Sequence, residues 1–287
     1  MGQIRKLVPG DEALAEAFLR GHADSSMHML SDIRRAGLVD KGEPFQATYV
    51  ALLRDGRIQS LAAHAWHGII QLQVPVASPE LLARLVAISG RPVKGLVGPL
   101  DQVDHARHWP GLGRREPFLE SREHLMALDL VKLQVPRALS NGLECRLPLE
   151  DELDLVAKWR VGFRLDLLAD VDSDQLFQTE QAAARRLQSD RQHWVVADDA
   201  GPVAYAGFNA ALPDAVQLAW VWTPAEHRGR GFGRSVVAGA LLAARETGAS
   251  RGVLTANENN APALAAYRAL GFYAVGRFGF VFFEPPR

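Results

Sequence analysis

The stretch Val221–Gly233, VWTPAEHRGRGFG, decides the fold of this chain. An apolar run over 216–222 predicts a β-strand, and Pro224 interrupts its hydrogen-bonding pattern. Directly after the stretch, Ser235–Arg245 is Ala-rich and has apolar residues at helical spacing. A strand therefore leads through a glycine-rich turn into a helix.

The glycine-rich turn has the chemistry of an anion-binding site. The first turn of a helix exposes N–H groups without intrahelical partners, at the positive end of the helix dipole. Three glycines at alternate positions let a phosphate approach the main chain, and three arginines add positive charge. These residues are Gly229, Gly231, Gly233, Arg228, Arg230 and Arg234. The spacing fits neither the P-loop nor the dinucleotide fingerprint, and the turn alone is also compatible with a purely structural helix entry.

A second stretch, Asn260–Phe272, predicts a short helix. Asn260 suits the N-cap, Pro262 the first turn and Gly271 the left-handed position at the C-terminus. With RxxGxG at 228–233 and NxxAxxxYxxxGF at 260–272, the last half of the chain resembles the GCN5-related N-acetyltransferase (GNAT) superfamily. The two motifs occur in the family's order.

The resemblance implies an α/β fold of the α+β type. We expect two GNAT-like domains, each a mixed, mostly antiparallel split sheet flanked by helices. Residues 1–136 would form a degenerate domain without a CoA loop, because its equivalent junction, Gln73–Pro79, has no glycine or arginine. Residues 137–287 would form the acetyltransferase domain and end in a hairpin over 272–283 with a turn near Gly276. An unrelated α/β domain in the first half stays open as an alternative.

The resemblance also implies acetyl-CoA as co-substrate. The strand end would lie beside the pantetheine, a bulge in it would free an N–H for the thioester carbonyl, and the loop would hold the pyrophosphate. The expected cofactor-binding residues are Val221, Trp222, Thr223, Arg228, Gly229, Arg230, Gly231, Phe232, Gly233, Arg234 and Asn260. Tyr267 matches the family's general acid, whose phenol protonates the leaving thiolate, although a packing tyrosine is the alternative.

The sequence predicts no general base. Many family members carry a Glu on the strand before the glycine loop, and here that strand offers Gln217, with Asp214 in the preceding turn. Glu226 and His227 lie beside the cofactor loop. A water chain, or an acceptor that arrives as the neutral amine, would serve instead.

The region after the first helix of the second half is rich in acids and aromatics. In this family the region lines the acceptor site, so the acids can attract a cationic amine; a solvated loop with helix-capping aspartates is the alternative. The acids are Asp166, Asp170, Asp172 and Asp174. The aromatics, which suit a pocket wall or plain core packing, are Trp159, Phe163, Trp220 and Trp222.

Composition narrows the class of protein. The chain has 287 residues, 48% hydrophobic and 23% charged, a formal net charge of −1 and one cysteine, Cys145. Two globular domains are expected, and the absence of a basic excess argues against a nucleic-acid partner. The single cysteine excludes an intrachain disulfide and fits a cytoplasmic location, and no apolar run suggests a signal peptide or a membrane span.

The first half contains several histidines that could be metal ligands, but their spacing matches no recognised metal-binding motif. His64, His67, His105, His108 and His124 include no helical pair with a nearby carboxylate, so we expect packing or surface roles and no metal.

The sequence thus predicts an acetyl-CoA-dependent N-acetyltransferase acting by direct attack of an unidentified primary amine, carried by a small molecule or a peptide. We expect a monomer or homodimer. Two alternatives are a regulatory protein that binds acyl-CoA without turnover and an aminoacyl-tRNA-dependent transferase. The missing strand carboxylate favours the first, and the neutral charge and intact glycine loop argue against the second.

Overall fold

A computed structural model describes residues 2–108, 112, 115–168 and 170–284. The chain forms two compact units, one comprising residues 1–125 and 275–287 and the other residues 126–274. In the described part of the chain, no helix combines the length and the hydropathy that crossing a bilayer requires.

The first unit alternates strands and helices. Its elements are β1 (Gln3–Lys6), α1 (Glu12–Arg20), α2 (Ala23–Ala36), β2 (Ala47–Arg54), β3 (Arg57–Ala65), β4 (Ile69–Gln73), α3 (Pro79–Ser89), β5 (Gly95–Pro99), α4 (Leu100–Ala106) and the first part of β6 (Leu119–Asp129). Gly21 lies at the break between α1 and α2. Asp55 and Gly56 form the tight turn between β2 and β3, with φ of +51° and +72°.

The sheet of the first unit is mixed. Strands β1 to β4 pair antiparallel in sequence order, and β4 pairs parallel with β5 over three residue pairs, from Ile69↔Gly95 to Gln71↔Val97. A core of aliphatic side chains, including Val50, Ile70 and Leu82, packs on one face of this sheet.

The second unit repeats the order of the first. Its elements are β7 (Glu144–Arg146), α5 (Leu153–Leu167), α6 (Asp174–Ser189), β8 (His193–Asp198), β9 (Gly201–Ala211), β10 (Ala215–Trp222), α7 (Phe232–Glu246), β11 (Arg251–Asn257) and α8 (Ala261–Ala269). Strands β7 to β10 pair antiparallel, and β10 pairs parallel with β11. The apolar side of α7, with Val236, Val237 and Leu241, is fully buried against this sheet. The predicted class, a mixed and mostly antiparallel sheet flanked by helices, is confirmed.

The expected C-terminal hairpin is wrong. Residues 273–282 form one strand, β12 (Tyr273–Phe282), and Gly276 does not adopt the positive φ of a turn. From Phe278 to Phe282 the strand pairs antiparallel with β5, a partner almost 200 residues earlier in the chain. Local glycine spacing suggested a turn, but long-range pairing keeps the backbone extended.

Candidate functional site

The turn from β10 to α7 places two glycines in the left-handed region. Gly229 has φ of +78° and Gly231, the N-cap residue of α7, has φ of +83°. Because Gly231 has no side chain, it offers no cap to the N–H groups of the first helical turn. That helix end therefore keeps the open, positively polarised backbone that an anion needs.

Gly233 brings the start of α7 close to the end of β10. A Cβ on this residue would lie 3.1 Å from Oγ1 of Thr223, a tight contact, so the close approach of the two segments requires glycine. The predicted residues Val221, Trp222 and Thr223 are half-buried at the strand end that leads into the loop.

Arg228 ties the loop to its surroundings. Its Nε donates to the carbonyl oxygen of Thr223 at 3.0 Å, and its guanidinium lies over the Trp222 ring, 5.0 Å from the ring centre. It also forms an exposed ion pair with Asp166, 3.3 Å between nitrogen and oxygen. The guanidinium is thus held at the loop entrance and exposed to solvent.

The other loop residues form a small cluster on the start of α7. The guanidinium of Arg230 lies 4.6 Å from the centre of the Phe232 ring, and the ring of His227 meets Phe232 edge-on at 6.1 Å. Nδ1 of His227 is buried and has no hydrogen-bond partner among the described residues. Arg230 and Arg234 are exposed, so both can reach a ligand at the helix end.

Strand β10 carries a β-bulge directly before the loop. Ala219 pairs with Gly207 and Trp222 with Tyr205, so two residues of β10, Trp220 and Val221, oppose a single residue of β9. Trp220 adopts φ of +58°, which is unfavourable for a bulky side chain. Strain of this kind concentrates at functional sites because the surrounding packing maintains it.

The sheet also opens at this point. Parallel pairing between β10 and β11 covers only Ala215–Gln217 with Arg251–Val253, although both strands continue for several residues. The bulge therefore lies on the free side of β10, beside a split that a chain-like ligand can enter.

Helix α5 packs onto the bulge. The Arg160 guanidinium lies 4.1 Å from the centre of the Trp220 ring, and the Phe163 ring meets the same ring edge-on at 5.2 Å. A Cβ on Gly162 would come within 2.9 Å of the Trp222 ring. The aromatics predicted as a pocket wall are thus mainly packing partners of α5.

A buried ionic network extends from the bulge into the unit. Arg160 donates to Glu180 at 2.7 Å, and Arg164 pairs with both Glu180 at 2.9 Å and Asp170 at 2.6 Å. Arg160 also donates to the hydroxyl of Tyr205 at 3.3 Å, which in turn lies 3.4 Å from Nδ1 of His193. Burial raises the pKa of the Tyr205 phenol.

This network was missed at the sequence level. Its only signal is a pair of arginines, Arg160 and Arg164, four residues apart in an otherwise apolar helix, with Glu180 on the next helix. The expectation for the acid-rich loop needs correction in part. Asp170 is ion-paired and nearly buried, and Ser173, not an aspartate, caps α6 by accepting from Leu176 N at 3.1 Å.

Asn260 and Tyr267 lie on α8, after β11. The side chain of Asn260 caps the helix as predicted, with Oδ1 accepting from Ala263 N at 3.1 Å. Tyr267 is 9% exposed, belongs to the main core cluster and meets Phe272 edge-on at 6.0 Å. The structure thus groups the β10 end, the loop and the start of α7, and places Asn260 and Tyr267 on a separate helix of the same unit.

In the first unit, the connection from β4 to α3 corresponds to the loop between β10 and α7, but it is built differently. Ser78 caps α3 by accepting from Leu81 N at 3.3 Å, and Pro79 occupies the first turn. The side chain of Gln102 accepts from the backbone N of Val74 at 2.5 Å, just past the end of β4. In the first unit, side chains of the protein therefore accept hydrogen bonds from backbone N–H groups around this connection. The corresponding N–H groups at the start of α7 have no such side-chain cap.

Histidine and carboxylate side chains do not gather into a metal-binding group anywhere in the described part of the chain. His64 is fully buried and shares a 2.7 Å hydrogen bond with Ser89, while His105 and His108 are exposed.

Comparisons with known proteins agree with this geometry. Residues 159–272 match the model of the acetyltransferase (GNAT) family, a range that contains the bulge, the loop and Tyr267. No curated protein matches the chain.

Similar solved structures show the same fold along the whole chain. A tandem GNAT protein from the clavulanic acid biosynthesis pathway is 14% identical, with a TM-score of 0.62 and full coverage of both chains. A GCN5-related N-acetyltransferase from Sphaerobacter thermophilus is 15% identical, with a TM-score of 0.60, and the match covers 100% of this chain and 97% of that one. A GNAT-family acetyltransferase from Colwellia psychrerythraea is 13% identical, with a TM-score of 0.57 and coverage of 98% and 100%.

Proposed function

We propose that the second unit, whose residues 159–272 match the model of the acetyltransferase (GNAT) family, transfers an acetyl group from acetyl-CoA to a primary amine by direct attack. The observation that carries this proposal is the strained bulge at Trp220–Val221, placed between the open split of the sheet and the glycine-rich start of α7. A glycine-rich turn that only connects a strand to a helix would require neither the bulge in β10 nor the separation of β10 from β11.

The residues present fit acetyl-CoA. The N-terminus of α7, with Gly231 at its cap, offers N–H donors to a pyrophosphate, and Arg228, Arg230 and Arg234 add positive charge around it. Gly229, Phe232 and Gly233 shape the loop, and Trp222 and Thr223 lie at the strand end beside the split. Asn260, at the cap of α8, is included in the proposed site on the family resemblance alone. When bound, acetyl-CoA supplies the acetyl group in activated form as a thioester.

The bulge performs the electrostatic part of the chemistry. It takes the main chain of Trp220 and Val221 out of one-to-one pairing with β9, which makes an N–H available to an external acceptor. A fixed N–H donor stabilises the negative charge that develops on a carbonyl oxygen during acyl transfer. The packing of α5 on Trp220 holds this donor in place.

Tyr267 acts as the general acid in this proposal. A phenol has an ordinary pKa near 10, so it is protonated at neutral pH and can deliver a proton to a departing thiolate. No base is assigned, since Gln217 occupies the strand where a carboxylate would serve. The acceptor therefore reacts after losing its proton to water or arrives neutral.

The first half is proposed as the degenerate domain. Ser78, Pro79 and Gln102 occupy the donors and the space that a cofactor would need in that half, so one acetyl-CoA should bind per chain. The domain limits of 1–136 and 137–287, the cytoplasmic location, the monomeric or dimeric state and a small-molecule or peptide amine as acceptor remain part of this proposal.

Calorimetric titration with acetyl-CoA tests the function, followed by a thiol-release assay with a panel of amines. We expect one site per chain with micromolar affinity, and amine-dependent release of CoA. Binding without release for any amine would favour the regulatory alternative. Two sites per chain would contradict the degenerate first half, and no binding would overturn the proposed function.

A further inference from the structure

The first unit contains a buried polar cluster beneath α2. Two of its polar atoms, the hydroxyl of Tyr49 and Oε1 of Gln71, are buried and have no hydrogen-bond partner among the described residues. Tyr49 is 1% exposed and Gln71 8% exposed. Buried polar groups are nearly always hydrogen-bonded in native proteins, so two orphans in one place need a physical reason.

Sheet register puts the two groups side by side. Tyr49 on β2 pairs with Ala63 on β3, and Ala63 pairs with Gln71 on β4, so the three side chains point to the same face. Only a methyl group separates the phenol from the amide. The small side chain of Ala63 therefore leaves space between the larger side chains of Tyr49 and Gln71 on either side.

An acidic group on α2 faces this row. The amide of Gln71 donates a hydrogen bond to the carboxylate of Asp32, which leaves the Gln71 oxygen as an acceptor. The charge of Asp32 also acts on the phenol of Tyr49. Asp32 is half-buried, whereas the two orphan atoms are shielded from solvent. Burial raises the pKa of Asp32 to about 7, which shows that its charge is poorly solvated.

Among the described residues, the buried atoms Nε2 of His64 and Nδ1 of His227 also have no partner, but other buried polar groups near the cluster or equivalent to it are hydrogen-bonded. On the same strand as Gln71, Gln73 accepts from the hydroxyls of Ser25 and Ser26 at 2.8 and 3.1 Å. In the second unit, the fully buried Tyr205 is satisfied by Arg160 and His193. Tyr49 and Gln71 differ from the two histidines because their orphan atoms belong to one cross-strand row.

We propose that Tyr49, Gln71 and Asp32 form a binding site for a small primary ammonium ion in the first unit. An ammonium group has three donors and no acceptor, and the site offers the Gln71 oxygen, the Asp32 carboxylate and the Tyr49 oxygen as three acceptors. The ligand's positive charge compensates the desolvated carboxylate. His28, one turn before Asp32 on α2, and His67, which interacts electrostatically with His28, do not repel it, because burial lowers the pKa of each to about 4 and leaves both neutral at pH 7.

Isothermal titration of the full-length protein at pH 8 with ethylamine and ethanolamine tests the site, with ethanol as the uncharged control. We expect both amines to bind and ethanol not to bind. Asp32→Asn should weaken amine affinity at least tenfold, whereas Asp55→Asn, the same change in an exposed turn of the same unit, should not alter it. Equal affinity for the wild type and Asp32→Asn, or no amine binding at all, would overturn the proposal.

The ligand-free protein provides an independent test through Tyr49→Phe. Removing a hydroxyl that has no partner relieves a desolvation cost, so the melting temperature should rise, by about 2 °C. The same variant should bind ethylamine about three- to tenfold more weakly. A lower melting temperature would mean that the hydroxyl is already satisfied, for instance by a buried water, and would contradict the site.

The pH dependence of amine binding gives a third test. The charged groups that act on Asp32 or Tyr49 are Arg35, Asp40 and Asp32 itself, and the nearby His28 and His67 are neutral above about pH 4. The amine stays protonated throughout, so Asp32 controls the affinity between pH 8 and 5. Below pH 7 the affinity for the amine should decrease, and the decrease should approach tenfold for each pH unit. An affinity that does not change with pH would contradict the role of Asp32. None of the three tests requires acetyl-CoA, so failure here leaves the function of the second unit untouched.

Discussion

Arg160 lies over the ring of Trp220, with 4.1 Å between the guanidinium carbon and the ring centre. Trp220 is the residue at which β10 leaves regular pairing, and Arg160 is itself fixed by Glu180 at 2.7 Å. One side chain thus links the bulge to a buried carboxylate on α6. The strained backbone at Trp220 is maintained by this packing.

Replacing Arg160 should destabilise the second unit. Arg160→Met leaves Glu180, which is 2% exposed, with Arg164 as its remaining cation. Breaking one partner of a buried ion pair costs about 3–5 kcal/mol. Urea unfolding should show this loss, and a smaller loss for the double variant Arg160→Met/Glu180→Gln, which also removes the buried carboxylate that has lost one of its two cations. A single variant within about 0.5 kcal/mol of the wild type would contradict the role of the network.

Gly231→Val should abolish the acetyl-CoA site beyond its effect on stability. A side chain at φ of +83° is strained by about 1–2 kcal/mol, and it covers the helix N–H groups to which the proposed function assigns the pyrophosphate. We expect at least a tenfold loss of affinity by calorimetry. Gly201→Val is the matched control, since Gly201 also has a positive φ, +123°, but starts β9 in a turn. Equal affinities for the two variants would mean that Gly231 does not face the cofactor.

Asp166→Asn should strengthen acetyl-CoA binding. Asp166 and Arg228 are about half exposed, at 54% and 52% of their side chains, so their ion pair contributes little stability. Removing the carboxylate leaves the guanidinium for the pyrophosphate. Affinity should rise about two- to fivefold at low salt and converge with the wild type at high salt.

Asp199→Asn, an exposed change in the turn between β8 and β9, controls for the change in net charge. A gain of the same size in this control would attribute the effect to net charge alone. Weaker binding in Asp166→Asn would mean that the pair orients Arg228 productively.

The sequence was sufficient for the parts of the site that depend on local chemistry. Glycine spacing predicted the turn from β10 into α7, and Asn260 predicted the cap of α8, because both follow from backbone requirements of a few consecutive residues. Arg160 and Glu180 could not be found in this way. They lie 20 residues apart on different helices, and only the packing of those helices creates their pairing.

The end of the chain shows the same limit. Gly276 suggested a turn, yet its strand stays extended because Phe278–Phe282 pairs with β5, which no local pattern reveals. The orphan atoms of Tyr49 and Gln71 are likewise invisible in the sequence, where both residues fit an ordinary strand.

Tyr267→Phe separates catalysis from binding. The change removes only a hydroxyl from a side chain that is 9% exposed and packed against Phe272, so the core should persist. With a general acid lost, kcat for acetyl transfer should fall about 10²- to 10⁴-fold while the Kd for acetyl-CoA stays within about twofold. Unchanged kcat would assign Tyr267 to packing, and a matching fall in affinity would point to a binding role.

His193 should make the second unit acid-labile. It is fully buried, Nε2 lies 2.8 Å from Gln188 Oε1, and burial together with the charges of Arg160 and Arg186 lowers its pKa to about 3. The unfolded chain takes up this proton near pH 6.5 and the folded protein does not, so stability falls as the pH drops from 6.5 towards 3.

The slope from one such histidine is about 1.4 kcal/mol per pH unit. His28 and His67 act in the same direction down to about pH 4, and Asp32, with a pKa raised to about 7, acts in the opposite direction between pH 7 and 4. His193→Gln isolates one group. Between pH 6 and 4.5 its unfolding free energy should fall less steeply than that of the wild type, by about 1.4 kcal/mol per unit. Above pH 7.5 the two curves should run parallel; parallel curves at acid pH as well would show that His193 does take up a proton in the folded protein.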